Sequence, residues 1–461
     1  MTFIESLSTK NSRTKNGAVT LSTSLNPILD LFFIVGTANE DNLSDILKQV
    51  NLAYNHNKDL TTRVLLWARD IRQGAGRREV FKEYLNMLSE KDKELYSRII
   101  KKVPELGRYD DIITDKQLDF AGKEVLKVLD FNNTLCCKWM PREKSSKSKL
   151  AKKLIKLLNL KSKDYRKLLV SNTDVVENKM CSKKWNTIEY KKVPSKAMTK
   201  YCEAFERNDF KRYNSYIKSL TSGKTKVNTS AVYPHDILNV LEKNRTLANE
   251  MWLNQKNWLE NSNKTLFPII DVSGSMYDFI SGKITALDVA VSLGLYLSEK
   301  NKGNFKDHFI TFSGNPKLVK IEGDDLYRKV TSIKTSNWGC TTDIQKVFDL
   351  ILDTAVNNFM SQDELPSSLV ILSDMEFDRA SGDKTNFEVI KDKFDRNGYN
   401  MPELVFWNIN GRTKNVPVSK NEQGVCLVSG FSPSIVKSFL SGNLEPEKIM
   451  LEIINNQRYD Y

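Results

Sequence analysis

Apolar residues in the first half of the chain recur at helical spacing. In a series of segments they occupy positions i, i+3, i+4 and i+7, the pattern of an amphipathic helix, and short loops with glycine, proline or aspartate separate the segments. Successive helical hairpins of this length predict an all-α repeat architecture of the solenoid type, in which each pair buries its apolar stripe against the next. The segments are 26–38, 43–55, 60–72, 77–90, 93–103, 120–130 and 148–159.

The pattern changes near residue 263, where short apolar runs typical of strands begin to alternate with amphipathic segments. Such alternation implies βαβ units, whose right-handed crossovers bury a mostly parallel sheet between two layers of helices. We therefore predict a doubly wound α/β domain over 263–461, after a helical domain over 1–262. The strand-like runs are 266–271, 308–313, 317–321, 369–375, 404–410 and 424–430, and the helical segments are 283–300, 344–356 and 386–397.

Composition narrows the class of protein. The 461 residues are 40% hydrophobic and 28% charged, as in a soluble globular protein. The sequence has neither a long apolar run nor the apolar core of a signal peptide at its start, so we expect a cytoplasmic monomer without a membrane partner. Its six cysteines form no C-x-x-C pair and it has three histidines, which supports neither a zinc cluster nor a disulfide framework.

Positive charge is concentrated in one part of the chain. The net charge is +13, and residues 138–226 hold about 25 basic against about 8 acidic residues. Lysine and arginine blocks favour polyanions because neutralised phosphates release counterions, and interleaved aromatic rings can stack on unpaired bases. The same composition also fits a basic, solvated surface over ordinary core aromatics. The aromatic candidates are Trp139, Tyr165, Trp185, Tyr190 and Tyr201.

A carboxylate and two hydroxyls follow the first strand of the second half. The run LFPIIDVSGSM at 266–276 places Asp271, Ser273 and Ser275 on a tight turn at the carboxyl end of a buried strand. Oxygen donors of this kind suit Mg²⁺ (or Mn²⁺), which takes six oxygens and usually keeps several waters. The alternative is a polar turn that binds no metal.

Two further segments supply donors that an α/β fold brings to the same edge of the sheet. Thr342 lies in the small-residue loop 338–343, which leads into a helical segment, and Asp374 lies at the end of an apolar, strand-like run. The hydroxyl-rich set leaves an electrophilic ion that favours an incoming carboxylate over hydrolysis, so we predict no enzymatic activity. We expect Glu376 and Asp378, just past Asp374, to surround the ion through waters at most.

The constellation D-x-S-x-S, threonine and aspartate, in that chain order, is the pattern of a metal-ion-dependent adhesion site. Residues from about 264 to 461 accordingly resemble a von Willebrand factor A domain. The middle loop reads GCTTD, where proteins similar to the Ro autoantigen family, whose resemblance to the helical half is described next, more often have G-G-T-D. We expect Thr342 to be the ligand because it precedes Asp343, as the threonine does in that pattern. The resemblance implies that a protein partner docks by supplying an Asp or Glu to an ion held by Asp271, Ser273, Ser275, Thr342 and Asp374.

The helical half also carries a family resemblance. Residues 66–79 read LWARDIRQGAGRRE and look like the W-x-R-D-x-R-x-G-x-G-x-R-E segment of the Ro autoantigen family, whose helical-repeat (TROVE) module is shared with telomerase and vault proteins. The resemblance implies a ring of HEAT-like repeats closed by a von Willebrand A domain, with single-stranded ends or structured RNA bound to the basic ring. Further stretches resemble uncharacterised Ro-like relatives: 26–33, 103–112, 138–143 and 173–198.

Two of these segments provide candidate RNA contacts. In 66–79, two glycines permit a tight turn before Arg77 and Arg78, where arginine forks and exposed backbone N–H groups can hold a phosphate. Alternatively, Asp70 pairs with one of the arginines to lock adjacent helices, with Arg69 as its expected partner. In the second segment, 173–198, Trp185 is either a ring that stacks on bases or a core residue. The lysines of that segment are Lys179, Lys183, Lys184, Lys191, Lys192 and Lys196.

Two functions therefore stay open from the sequence. The first is an RNA-binding protein of the Ro type, acting as an RNA chaperone, quality-control factor or ribonucleoprotein scaffold, whose metal site docks a protein partner. The second is a metal-dependent protein-interaction adaptor whose basic half does not bind RNA specifically. A steep fall of log K for RNA with log salt, with a slope of about 0.7 per phosphate contacted, distinguishes the first from the second.

Overall fold

The computed structural model describes residues 11–260, 262–312, 315–334, 343–379, 385–411, 415–440 and 444–461. From Pro27 to Leu253 the chain is mainly helical, and a largely parallel sheet with flanking helices follows. The predicted change from helices to an α/β arrangement is therefore confirmed. Within the described ranges, no helix is long and apolar enough to cross a membrane.

Each helical segment predicted in the first half contains a helix. Some of these helices begin at a side-chain cap: the Asn26 side chain, for example, accepts hydrogen bonds from the backbone N–H groups of Ile28 and Leu29. The helices are α1 (Pro27–Val35), α2 (Leu43–His56), α3 (Lys58–Arg69), α4 (Glu79–Lys91), α5 (Lys93–Ile99), α6 (Val103–Leu106), α7 (Asp115–Val128), α8 (Thr134–Trp139), α9 (Ser148–Leu157), α10 (Ser162–Ser171), α11 (Val176–Cys181), α12 (Ser195–Asn208), α13 (Phe210–Thr221), α14 (Pro234–Leu241) and α15 (Arg245–Leu253).

One element of the first half is not helical. Strands β1 (Asn11–Arg13) and β2 (Val19–Leu21) pair in antiparallel fashion and form a hairpin over residues 11–21, called the N-terminal hairpin below. Gly17 lies in its turn at a φ of 85°, a conformation that side chains disfavour. The hairpin was not predicted from the sequence, because strands of three residues are too short to establish a period of two.

The second half forms strands and helices at the predicted places, with additional short elements. Its strands are β3 (Leu266–Asp271), β4 (Phe279–Ser281), β5 (Ile284–Thr285), β6 (His308–Phe312), β7 (Leu318–Lys320), β8 (Ser368–Ser373), β9 (Glu403–Asn408) and β10 (Val425–Ser429). Its helices are α16 (Ala286–Lys300), α17 (Leu326–Lys334), α18 (Ile344–Asn357), α19 (Asn386–Arg396) and α20 (Pro446–Ile454).

Strand β3 lies near the middle of the main sheet. Among the described residues this sheet has six strands in the order β10-β9-β8-β3-β6-β7, and only the pair β6-β7 is antiparallel. All residues of β3 and β8 are buried, which explains their uninterrupted apolar sequences. Helix α16 packs on β3, and Gly294 permits the close approach because a Cβ there would lie 2.3 Å from Ile270 Cδ1. The carboxyl ends of the parallel strands therefore meet at one edge.

Contacts group the chain into two compact units whose boundaries differ from the predicted boundary at 262/263. The first, called the sheet unit, comprises the chain up to residue 64 together with 232–456, and the second, called the helical unit, comprises 65–231 and 457–461. Within the sheet unit, α1 packs on β10 and α20, and α14 packs on α16. The predicted boundary follows the change in hydrophobic period, which does not indicate which helices pack on the sheet.

Buried charges join three segments of the helical unit. The fully buried carboxylate of Asp111 accepts hydrogen bonds from Arg69 Nε at 2.7 Å and from Arg78 Nε at 2.6 Å. The buried carboxylate of Asp110 lies 2.5 Å from a terminal nitrogen of Arg78. The predicted pair of Arg69 with Asp70 is therefore wrong, because the Arg69 guanidinium is engaged by Asp111.

Asp70 instead pairs with the carboxyl-terminal segment. Its fully buried carboxylate accepts hydrogen bonds from the Arg458 guanidinium, from Tyr459 Oη at 3.3 Å and from the backbone N–H of Arg72 at 2.9 Å. A further nitrogen of Arg458 lies 2.8 Å from Glu105. The last five residues therefore belong structurally to the helical unit.

We expect Arg458→Ala to lower the free energy of unfolding by about 3 kcal/mol, because it leaves Asp70 as a buried charge without its ion pair. The matched control is Arg98→Ala, which removes an exposed guanidinium that also contacts this segment, at the Tyr461 backbone oxygen. That control is expected to cost under about 1 kcal/mol. Urea unfolding followed by circular dichroism measures the free energy of unfolding of both variants. Equal losses would show that the buried Asp70 pair stabilises the fold no more than the exposed Arg98 contact does.

Candidate functional site

Asp271 lies at the carboxyl end of β3, where the sheet buries it completely. One carboxylate oxygen accepts a hydrogen bond from the backbone N–H of Ser273 at 3.0 Å. The other accepts one from Ser373 Oγ at 2.5 Å. Because Ser373 ends the neighbouring strand β8, this contact connects the turn after β3 to the turn after β8.

The two serines of the D-x-S-x-S segment meet the second predicted carboxylate. Ser273 Oγ and Ser275 Oγ lie 3.2 Å apart, and the Ser275 hydroxyl donates a hydrogen bond to Asp374. The structure thus brings together Asp271, Ser273, Ser275 and Asp374, although they come from two strand ends about one hundred residues apart in the chain. The remaining predicted ligand, Thr342, lies outside the described residues.

Both carboxylates of the candidate site are held in an unfavourable electrostatic environment. Burial and the neighbouring Asp271 charge raise the pKa of Asp374 to about 7. Burial also raises the pKa of Asp271, against the lowering effect of its hydrogen bonds from Ser373 and Ser273. Two carboxylates that share a buried site repel each other, so a cation beside them would stabilise the charged form of both.

The donor set fits a hard divalent cation. Carboxylate and hydroxyl oxygens are the ligands that Mg²⁺ and Mn²⁺ accept, and such an ion keeps coordination positions for water or an incoming group. In the part of the chain that the structure describes, no three His, Cys, Asp or Glu side chains are grouped as they would be around a metal. A cation here would therefore depend on the serine hydroxyls as much as on the carboxylates.

Ser373 was not predicted from the sequence, and Glu376 has a role that differs from the predicted one. Ser373 Oγ not only donates to Asp271 but also accepts a hydrogen bond from the Met375 N–H at 3.0 Å. The buried carboxylate of Glu376 accepts hydrogen bonds from the backbone N–H of Lys15 at 2.6 Å and from Asn415 Nδ2 at 2.8 Å. Both oxygens of Glu376 are thus engaged by protein groups, which differs from the predicted contact through water. No sequence signal indicated Lys15 or Asn415, since both are distant in the chain.

Two exposed aromatic side chains follow the serine turn. Tyr277 is 57% exposed and Phe279 is 67% exposed, two and four residues after Ser275. Large apolar side chains are normally removed from water, and exposed aromatic rings are enriched where proteins bind partners. The residues around the carboxyl edge of the sheet therefore combine buried oxygen donors with an exposed aromatic surface.

The predicted phosphate-binding turn in the helical unit is engaged internally. Gly76 adopts a φ of 69°, and a Cβ on Gly74 would lie 1.9 Å from the Trp67 backbone oxygen, so both glycines are needed for the turn. The turn caps the end of α3, because the N–H groups of Ala75, Gly76 and Arg77 donate to backbone oxygens of Trp67, Asp70 and Ala68. These N–H groups are therefore not the exposed donors that the prediction required.

The arginines of this turn also differ from the prediction. Arg77 is half-buried. Arg78 is 26% exposed, and its guanidinium is held by the carboxylates of Asp110 and Asp111, which also raise its pKa against the opposing effect of burial. An arginine committed to two buried carboxylates has little capacity left for a phosphate. The lock between helices that the sequence left as an alternative is thus present, with partners other than the expected ones.

The predicted lysines divide into two groups. Lys183, Lys184 and Lys191 are exposed. The others have protein partners: Lys179 lies 3.3 Å from Asp174 and Lys192 lies 2.7 Å from Glu189, and Lys196 also has a partner within the chain. Exposed lysines without a strong competing ion pair are the better candidates for phosphate contacts.

Most of the predicted stacking rings are not free to stack on bases. Tyr165 and Tyr190 are buried, and the guanidinium of Arg108 lies 3.9 Å from the centre of the Trp139 ring. Trp185 and Tyr201 are half-buried. In the basic region 138–226, the alternation of aromatic and basic residues therefore arises largely because aromatic side chains pack inward while basic side chains face solvent.

Two parts of the chain match protein families that are described as domains of unknown function. Residues 266–459 match the family described as domain of unknown function DUF7788, and residues 14–92 and 127–269 match the domain of unknown function DUF2828. The chain is also similar to an uncharacterised protein of Acanthamoeba polyphaga mimivirus. The two are 28% identical over 503 residues, which span 96% of this chain and 86% of the viral protein.

The raised pKa of Asp374 predicts how stability varies with pH when no divalent ion is present. Because the folded state binds this proton more tightly than the unfolded chain, whose Asp pKa is near 3.8, stability falls as the pH rises from about 4 through about 7. We expect Asp374→Asn to be more stable than the wild type at pH 8, and the difference to disappear near pH 4. Urea unfolding in a chelating buffer measures this.

The control for this experiment is Asp278→Asn, which changes an exposed carboxylate a few residues beyond the serine turn. Its stability difference from the wild type should not vary with pH in the same manner. If the free energy of unfolding of Asp374→Asn ran parallel to that of the wild type from pH 4 to pH 8, the ionisation of Asp374 would not destabilise the folded state, and the prediction would be contradicted.

Proposed function

We propose that this chain is an RNA-binding protein of the Ro type, in which a helical-repeat region grips single-stranded or structured RNA and a von Willebrand factor A-like domain carries a divalent-ion site. Such a protein acts as an RNA chaperone, quality-control factor or ribonucleoprotein scaffold rather than as an enzyme. The resemblance of residues 66–79 and 173–198 to Ro-like sequences supports the family assignment. The exposed lysines of the helical unit are the observation that carries RNA binding.

The 173–198 segment, which carries these lysines, is held in place by hydrogen bonds and aromatic contacts. Tyr190 is buried against aromatic neighbours, and its hydroxyl donates a hydrogen bond to Asp209 at 2.8 Å. Arg212 donates hydrogen bonds to the backbone oxygens of Trp185 at 2.8 Å and of Ile188 at 2.6 Å. These contacts fix the backbone while leaving Lys183, Lys184 and Lys191 in solvent, so their charges are presented without ordering a loop on binding.

Two helices that precede this segment in the chain add to the positive charge of the helical unit. Helices α9 and α10 pack against each other and carry further exposed cations on their solvent sides. Many exposed cations in one unit suit a phosphate backbone, whose charges are closely spaced, better than an isolated acidic side chain. The exposed cations of these helices and their connection are Lys149, Lys152, Lys156, Lys161, Lys163, Arg166 and Lys167.

The ion site supports a second part of the same proposal, the docking of a protein partner. Ser273, Ser275 and Asp374 would hold Mg²⁺ or Mn²⁺, with Asp271 beside them and Thr342 as a further ligand by resemblance. The ion would supply a positive centre for an Asp or Glu of the partner. The exposed rings of Tyr277 and Phe279 favour such docking, since aromatic side chains provide much of the binding energy at protein interfaces. The adaptor function remains the alternative if RNA binding fails.

We expect the reversal of three exposed charges, Lys183→Glu, Lys184→Glu and Lys191→Glu together, to weaken binding of a labelled single-stranded oligouridylate. The loss of three phosphate contacts should reduce the slope of log K against log salt by about 2. Fluorescence anisotropy over a series of salt concentrations measures both affinity and slope.

The matched control reverses three exposed lysines of the same unit outside the basic segment: Lys93→Glu, Lys101→Glu and Lys116→Glu. The net charge change is identical, so the control measures general electrostatic attraction alone. Equal effects of the two triple variants would contradict a defined RNA surface. A wild-type protein that ignores the RNA at low salt would favour the adaptor.

A further inference from the structure

The loop after β8 has a backbone conformation that requires support. Met375, directly after Asp374, is buried and has a φ of 65°, in the left-handed region that a side chain makes unfavourable. Such a conformation costs roughly 1 to 3 kcal/mol and persists only where surrounding contacts determine it. The loop from Asp374 to Asp378 must therefore be held from outside.

The N-terminal hairpin supplies contacts to this loop. Thr14 Oγ1 donates a hydrogen bond to the Phe377 backbone oxygen at 2.6 Å, and Asn16 Nδ2 donates one to the Glu376 backbone oxygen at 2.8 Å. The Lys15 N–H donates to the Glu376 carboxylate at 2.6 Å. All of these residues belong to the sheet unit.

A third segment, at Asn415 and Val416, contacts both the hairpin and Glu376. Leu21 of the hairpin exchanges two backbone hydrogen bonds of 2.9 Å with Val416. Asn415, the preceding residue, donates to the Glu376 carboxylate at 2.8 Å. Glu376 is thus held by two segments that also bind each other, which fixes the loop at a point two residues from Asp374.

The loop in turn orients Asp374. The Glu376 N–H donates a hydrogen bond to Asp374 Oδ1 at 3.2 Å, and the Met375 N–H donates to Ser373 Oγ, which donates to Asp271. A displacement of Glu376 would therefore be transmitted to both carboxylates. These contacts form a continuous hydrogen-bonded path from the hairpin to the candidate ion ligands.

We propose that the N-terminal hairpin is part of the ion site, with Thr14, Asn16 and Glu376 acting as positioning residues that hold the Asp374 loop in its ion-binding conformation. This inference rests on the proposed ion site. Because linkage is reciprocal, a bound ion must also stabilise the docked hairpin. Residues near the amino terminus thereby control the affinity of a site whose ligands lie more than 250 residues later in the chain.

Thr14→Val in the full chain tests the inference, because valine removes the hydroxyl from this buried position with little change of shape. We expect Mn²⁺ affinity, measured by isothermal titration calorimetry, to fall about fivefold or more, the lower end of typical coupling between sites. Hydrogen exchange of the Met375 and Glu376 amides should accelerate even without the ion. The control Thr14→Ser keeps the hydroxyl and should retain both properties.

Asn16→Ala provides a second test at an exposed position, where misfolding is not expected, and should weaken Mn²⁺ binding in the same direction. Mn²⁺ binding by Thr14→Val equal to that of the wild type, together with unchanged amide exchange in the loop, would overturn the inference and leave the ion site intact. A wild-type protein that binds no Mn²⁺ would instead overturn the ion site itself, and the inference with it.

Discussion

The sheet unit depends on one electrostatic constraint, the burial of two carboxylates at the carboxyl edge of a parallel sheet. Asp271 and Asp374 end neighbouring strands, so the parallel arrangement brings them together whatever they bind. Burial and mutual repulsion oppose their ionisation. A polar pair of this kind costs stability unless hydrogen bonds or a cation stabilise it, and here the hydroxyl groups of Ser275 and Ser373 supply such hydrogen bonds.

The strand periods and the D-x-S-x-S segment were sufficient to predict where Asp271, Ser273, Ser275 and Asp374 would meet. They could not reveal Ser373, because a serine inside an apolar run resembles any other strand residue until its neighbour is known. Glu376 was noticed, but its partners Lys15 and Asn415 lie far away in the chain, and such pairings leave no local pattern. Long-range hydrogen bonds are therefore the part of the site that a single sequence does not disclose.

The helical half shows a similar division between local and distant information. Helical spacing predicted the helices, because amphipathic burial repeats along each segment. It did not predict that Asp70 would pair with Arg458 or Arg69 with Asp111, since those contacts depend on how the helices pack. Arginines near the glycine turn thus hold the fold together, whereas Lys183, Lys184 and Lys191 of the 173–198 segment are exposed to solvent. This separation agrees with the planar guanidinium favouring buried pairs and the strongly hydrated ammonium favouring the surface.

Anomalous diffraction from crystals grown with Mn²⁺ tests the central claim most directly, because it locates the ion independently of any activity. The account predicts one anomalous peak at the carboxyl edge of the sheet, bounded by Ser273, Ser275 and Asp374, and its loss in Asp271→Ala. Crystals that contain Mn²⁺ but show no peak there, with the carboxylates still held only by the serine hydroxyls, would contradict it.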